Sequence, residues 1–229
     1  MKAMLLAAGL GTRMRPLTDT LPKPLLRAGG QALIEYHLHN LVRAGITDIV
    51  INHFYLGDVL EAALGDGSRY GATITYSRES VRLETAGGIV KALPLLGGES
   101  FAVISADIWT DFDYRQLRPV DGVKTQGRLL MVENPGHHSG GDFALRPDGR
   151  LALQEATATS AGLTYSGVSV MHPALFAGLA EVPLALRPLL DAAISKGLLE
   201  AEPYEGHWFD IGTPQRLADL DVFLRNSFV

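Results

Sequence analysis

The chain has 229 residues, 47% of them apolar and 20% charged, which excludes a disordered ground state and leaves room for a substantial core. A formal charge of −5 argues against non-specific nucleic-acid binding, and the absence of cysteine removes disulfides, thiolate zinc sites and a cysteine nucleophile. No apolar run approaches the roughly 20 residues of a membrane-spanning helix and no secretory signal is read, so a soluble, cytoplasmic protein is expected.

Strand and helix patterns alternate through the first half. MLLAA (4–8) is a continuous apolar run of the kind buried on both faces of a sheet. After a glycine- and proline-rich loop, Ile34, Leu38, Leu41 and Val42 recur at helical spacing, with Gly45 as the stop. DIVIN (48–52) reads as a second strand, 57–64 as a short helix ended by GDG (65–67), and ATITYS (72–77) as a third strand. GGIVKALPLL (87–96) reads as a helix broken at Pro94, and FAVIS (101–105) as a fourth strand running into Ala106, Asp107 and Trp109. In the second half, RLLMVE (128–133), GDFAL (141–145), RLALQE (150–155) and LTYSGVSVMH (163–172) read as shorter strands, and helix returns near 187–196 and from Pro214. The rhythm predicts an α/β fold: a Rossmann-like, mainly parallel sheet flanked by helices, with a smaller antiparallel β element in the second half. Residues 1–229 are expected to form one domain of two halves, 1–125 and 126–229.

Ligands of such sheets bind beyond the carboxyl ends of the strands, where the loop 8–18 and Asp107 fall. Gly9 and Gly11 permit positive φ and close backbone approach, and successive N–H groups in such a turn form a nest for anionic oxygens. Arg13 and Arg15 add planar forks suited to phosphate and Lys23 adds a mobile point charge. Gly-X-Gly alone is equally any tight turn. The third glycine of a dinucleotide fingerprint is replaced by Met14, and no Walker GK[ST] follows, which disfavours a dinucleotide oxidoreductase.

The longer string LLAAGLGTRMRPLT, with PKPLL at 22–26, resembles the signature of the sugar-1-phosphate nucleotidyltransferases, and the resemblance extends nearly end to end. LIEYHL, LETAGGI, NPGHH, YSGVSVMHPALF and GHWFDIGT are most similar to a branch transferring uridylyl from UTP to N-acetylmuramate 1-phosphate. The resemblance implies that 1–125 is the nucleotide-binding half and 126–229 the sugar-binding half, with Ala8, Gly9, Gly11, Thr12, Arg13 and Lys23 on the nucleotide phosphates and Arg13 and Lys23 serving catalysis. It also implies Glu84 and Gly88 (within 83–88) and Glu79 near the base, and Gly141, Glu155 and Gly167 with Asp107 toward the sugar. Asp107 and Asp210 would hold Mg2+, which binds through one or two carboxylates plus phosphate and water oxygens. Each aspartate alone is equally a loop or turn carboxylate. Ser105 stands where relatives carry an amide.

Nucleoside triphosphate and sugar 1-phosphate are thus the expected partners, the chain being a monomer or small homo-oligomer that binds neither nucleic acid nor membrane. The seven histidines are read as structural or solvent-facing, since His37/His39 and His137/His138 are spaced badly for chelation. Two alternatives stand beside this reading. One is a mannose-1-phosphate guanylyltransferase or another member of the family. The other is a catalytically silent regulatory subunit that binds nucleotide sugar, expected to lack some of Arg13, Lys23, Asp107 and Asp210, all of which are present.

Overall fold

The continuous apolar runs of the first half become the centre of one sheet. The structure, a computed structural model, describes residues 1–154 and 162–227. In chain order, β1 (Ala3–Leu6) leads through the loop to the short pair β2 (Arg27–Ala28) and β3 (Gln31–Ala32), and then α1 (Leu33–Arg43). β4 (Asp48–His53), α2 (Gly57–Leu64), β5 (Thr73–Arg78), α3 (Glu84–Leu96) and β6 (Phe101–Ser105) complete the alternating part. There follow β7 (Ile108–Thr110), β8 (Gly127–Val132), β9 (Phe143–Leu145), β10 (Leu151–Leu153) and β11 (Thr164–Met171). The chain ends with α4 (Leu186–Ser195), β12 (Leu199–Tyr204), β13 (Trp208–Asp210) and α5 (Pro214–Ser227).

Seven strands form the main sheet in the order β12-β8-β11-β6-β1-β4-β5. β6, β1, β4 and β5 are mutually parallel, whereas β11 runs antiparallel to both β6 and β8, and β12 is parallel to β8. The second half therefore extends the main sheet, and its separate antiparallel element is the small β9–β10 pair. β12 goes unread in the sequence because LEAEPY is charged and carries a proline. Both features suit an edge strand.

Both faces of the sheet are covered. Ala3, Leu5, Ile49, Ile51 and Ile104 point to a layer containing Ile34, Leu38 and Leu41 of α1 and Leu60 and Leu64 of α2. Their neighbours Met4, Val50, Phe101 and Val103 point the other way, onto Ile89 of α3 and Leu190 and Ile194 of α4. Burial on both sides is why these strands read as unbroken apolar runs. A third cluster joins Met14, Trp109, Ile211, Leu220 and Leu224, fastening the first loop to α5.

The helix over 87–96 begins earlier than predicted, at Glu84, and is not broken at Pro94. Pro94 lies in its last turn, where the missing N–H leaves one carbonyl, that of Val90, without its usual partner while Leu96 stays buried. Among the described residues, no helix is long and apolar enough to cross a membrane.

Candidate active site

A cleft of about 880 Å³ opens at the carboxyl ends of the parallel strands. Register sets its floor, since Leu6 pairs with Asn52 of β4 and with Ser105 of β6, so three strand ends and their loops emerge together. The Asn52 amide ties this floor together: its Oδ1 accepts from the Ala7 N–H at 3.0 Å and its Nδ2 donates to Glu79 Oε1 at 2.7 Å.

The glycine loop owes its shape to two different devices. Gly11 has φ 61°, and a Cβ there would fall 2.9 Å from Thr18 Cγ2, whose hydroxyl donates to the Gly11 carbonyl at 2.7 Å. Thr12–Met14 then form a 3-10 turn, held by the Met14 N–H on the Gly11 carbonyl. Met14 is buried in the third cluster, so the residue that breaks the dinucleotide fingerprint is the apolar anchor of the loop. Gly9 meets nothing within 4 Å, leaving its backbone open toward the cleft.

Asp107 and Asp210 come together through β-pairing. β7 and β13 are antiparallel, with Ile108 opposite Asp210, and the Ile211 N–H donates to the Asp107 carbonyl at 2.9 Å. Two carboxylates 103 residues apart in sequence thus share one wall. Lys23, only 8% exposed, reaches Asp107 Oδ2 at 2.6 Å. Asp210 is paired with the Arg216 guanidinium and lies 3.0 Å from His137 Nε2. Thr213 caps α5, its hydroxyl accepting from the Arg216 N–H at 3.3 Å.

Of the residues named from sequence, Ala8, Gly9, Arg13, Lys23, Glu84, Asp107, Gly167 and Asp210 line the cleft. Gly11 and Thr12 shape the loop from outside the lining. Glu79 stands behind the wall, its carboxylate accepting from Asn52 and, at 3.0 Å, from the Leu83 N–H. Gly88 is also behind it, and a Cβ there would meet Glu79 Oε1 at 2.7 Å. Gly141 has φ 69° and turns the chain beneath Asn134. Gly167 has φ 84° and lies within the register shift of β11, where a Cβ would fall 2.8 Å from Ser105 Oγ. Glu155 lies outside the described residues.

Several lining residues carry no signal of their own in the sequence. Thr85 follows Glu84 at the start of α3. His137 and His138 sit on a 3-10 turn, Gly136–His138, and both line the cleft as exposed side chains. Asp142 accepts from the Tyr165 N–H at 2.8 Å and lies 3.2 Å from His138 Nε2. Arg187 lies with its guanidinium carbon 4.4 Å from the Phe143 ring centroid and pairs with Asp191 at 2.7 Å. Burial pushes the Tyr165 phenol up to about 12, so it stays neutral, sharing a hydrogen bond with Ser169 Oγ at 2.8 Å.

A family model described as nucleotidyl transferase matches residues 2–132. The chain is 46% identical to N-acetylmuramate alpha-1-phosphate uridylyltransferase of Neisseria meningitidis serogroup B, over 97% of each chain. It is 38% identical to the protein of that name from Caulobacter vibrioides, covering 93% of this chain and 92% of the relative. A mannose-1-phosphate guanyltransferase of Aspergillus fumigatus is 32% identical, over 94% of this chain but 62% of its own length. Among solved structures, a Bacillus anthracis protein named as a glucose-1-phosphate thymidylyltransferase superposes with a TM-score of 0.84 at 22% identity, covering 99% of this chain and 96% of that one, a likeness of fold. Sequence over most of the chain and the shape of the sheet point the same way: this protein belongs to the nucleotidyl transferase family, as a sugar-1-phosphate nucleotidyltransferase.

Proposed function

We propose that the chain transfers uridylyl from UTP to N-acetylmuramate 1-phosphate, releasing pyrophosphate and a UDP-sugar. An oxygen of the sugar phosphate attacks the α-phosphorus of UTP, and the bond from that phosphorus to the bridging oxygen of pyrophosphate breaks. The attacking phosphate is largely ionised at neutral pH, its second pKa being about 6, so no strong general base is needed. Positioning and charge neutralisation carry the rate.

The observation that carries this reading is the convergence of Lys23, Asp107 and Asp210 on one wall, beside the open backbone at Gly9. Ala8, Gly9 and Arg13 would cradle the triphosphate, with Arg13 stabilising the departing pyrophosphate and Lys23 the reacting phosphates. Glu84 and Thr85 would border the nucleobase, and Gly167 would pass its backbone beneath the sugar.

Asp107 and Asp210 suit magnesium. Both are hard oxygen donors, partly exposed to the cleft and already drawing cations in Lys23 and Arg216. Among the described residues no group of three or more His, Cys, Asp or Glu side chains forms a cage, so the two aspartates would hold the ion together with phosphate and water oxygens. A magnesium ion bound there would neutralise charge on the reacting phosphates. We read both halves of the chain as one working unit in the cytoplasm, supplying a nucleotide-activated sugar for the recycling of cell-wall precursors.

Pyrophosphate release, measured with UTP and GTP against a panel of sugar 1-phosphates, tests the assignment. The expected result is magnesium-dependent release with UTP and N-acetylmuramate 1-phosphate. Turnover only with GTP and mannose 1-phosphate would instead assign guanylyl transfer. Asp107→Asn should lower kcat/KM by about 100-fold or more, since a metal clamp is worth several kcal/mol. Wild-type turnover in that variant would sink the metal-ligand role.

A further inference from the structure

Arg216 occupies an unusual place for a cleft cation. It sits at the third residue of α5, and its guanidinium crosses the turn between β13 and that helix. Gly212 makes this path possible, because a Cβ there would stand 2.9 Å from Arg216 Nη1. The fork pairs with Asp210 and approaches His137 Nε2 at 3.0 Å.

The three partners cannot all be satisfied together. His137 Nε2 lies 3.0 Å from Asp210 Oδ1 and also 3.0 Å from Arg216 Nη1. One ring nitrogen can donate to the carboxylate or accept from the guanidinium, but not both. The choice falls on His137, while the Arg216–Asp210 pair stands in either arrangement and both of its members line the open cleft, within reach of incoming ions.

An acceptor phosphate adds a second anionic group that the cleft must neutralise. Such a group brings a charge of about −1.5 to −2. Arg13 and Lys23 rise from the β1 side, Arg82 stands two residues before Glu84 at the proposed nucleobase end, and Arg187 of α4 is held by Asp191 at 2.7 Å with Asp142 at 3.7 Å. Arg216 is the arginine in contact with Asp210, and hence beside the place where the reacting phosphates must meet. Its planar fork matches phosphate as well as carboxylate.

We propose that Arg216 binds the phosphate of the sugar 1-phosphate acceptor, and that its pairing with Asp210 makes this binding conditional on a divalent cation reaching that carboxylate. The cation and the guanidinium compete for Asp210. With a cation held at Asp210, the Arg216 guanidinium would be free to take the incoming phosphate, and His137 Nε2 would remain against the carboxylate. Acceptor binding is thereby ordered behind metal binding. This rests on the nucleotidyl-transfer reading above.

Arg216→Gln and Arg216→Lys provide the test, each first shown by thermal melting to be folded. At saturating magnesium, the glutamine variant should raise the KM for the sugar 1-phosphate by tenfold or more and leave the KM for UTP within about twofold. Lysine should fall between, keeping the charge but losing the fork. In the absence of both substrates, calorimetric titration with Mn2+ should show the glutamine variant binding metal as tightly as wild type or tighter, because a competing cation has gone. A purely structural arginine that steadies Asp210 predicts the opposite pair of results: weaker Mn2+ binding and an acceptor KM restored at saturating metal. That pair overturns the proposal. Wild-type protein that releases no pyrophosphate with any acceptor would sink the reading beneath it instead, and the Mn2+ titration would still report the competition at Asp210.

Discussion

Glu84 holds a left-handed backbone, φ 58°, at the first residue of α3, a conformation that costs a residue with a side chain about 1–3 kcal/mol. Glycine would adopt it freely, yet a carboxylate stands there facing the cleft. Strain of this kind persists where the side chain is needed, here on the proposed nucleobase. Glu84→Gly should leave the urea midpoint unchanged or raised, as relief of strain offsets the greater freedom of the unfolded chain. The KM for the nucleotide should rise several-fold in the same variant. A glycine variant with wild-type nucleotide affinity would remove Glu84 from the site. Residues of this kind differ in how far sequence exposes them. Gly9, Arg13 and Lys23 lie in one continuous string with a readable phosphate chemistry, and they do line the cleft. Glu79 and Gly88 are equally legible as special positions, but they act on each other and on Asn52 behind the wall. His137, Asp142 and Arg216 gain their meaning only from neighbours brought in by the fold. No spacing along the chain announces such contacts.

At the scale of elements, α3 docks by its N-terminal turn against the segment 182–184. The N–H groups of Ala86 and Gly87 donate to the Leu184 carbonyl at 2.9 and 3.2 Å, and the Leu184 N–H returns to the Leu83 carbonyl at 2.9 Å. Gly87 permits this approach, since a Cβ there would lie 2.2 Å from the Val182 carbonyl oxygen, a backbone atom that cannot swing aside. Gly87→Ala should therefore destabilise the fold by about 1–3 kcal/mol, the usual cost of overpacking, measured by urea unfolding. Gly98→Ala, at a position with nothing within 4 Å, should stay within about 0.5 kcal/mol of wild type. Equal effects in the two variants would show that the docking is loose. Elements with a clear periodicity were legible in advance: β4, α2 and β6 lie where alternation, spacing and glycine stops put them. The start of α3 was not, because Glu84 and Thr85 give no apolar rhythm and the docking segment lies about a hundred residues away.

At the scale of the whole molecule, His37 is the buried link between the first helix and the wall carrying Asp107. It is 1% exposed, bonded at Nδ1 to the Tyr114 hydroxyl at 2.8 Å and at Nε2 to the Ile108 carbonyl at 2.9 Å. The carbonyl can only accept, so Nε2 carries the proton and the tyrosine donates to Nδ1; a second ring proton would break that bond. Burial accordingly lowers the pKa of His37 to about 4. The unfolded chain binds this proton near pH 6.5 and the native protein does not until about pH 4. Stability therefore rises with pH across that window, is complete above it, and falls as pH drops from about 6.5. The loss attributable to His37 amounts to about 2 kcal/mol at pH 5. Glu61 acts lower down: hydrogen bonding from Arg78 holds its carboxyl at about 2, so its contribution is present above the unfolded value near 4.5 and is lost as pH falls through about 2. The two groups are separable by pH. Urea unfolding at pH 7 and pH 5 should show a drop in stability in wild type that is smaller by about 2 kcal/mol in His37→Gln, although that variant starts from a lower stability at pH 7. An unchanged difference between the two pH values would mean that protonation is accommodated in the folded core, and that some other group sets the acid sensitivity of the molecule.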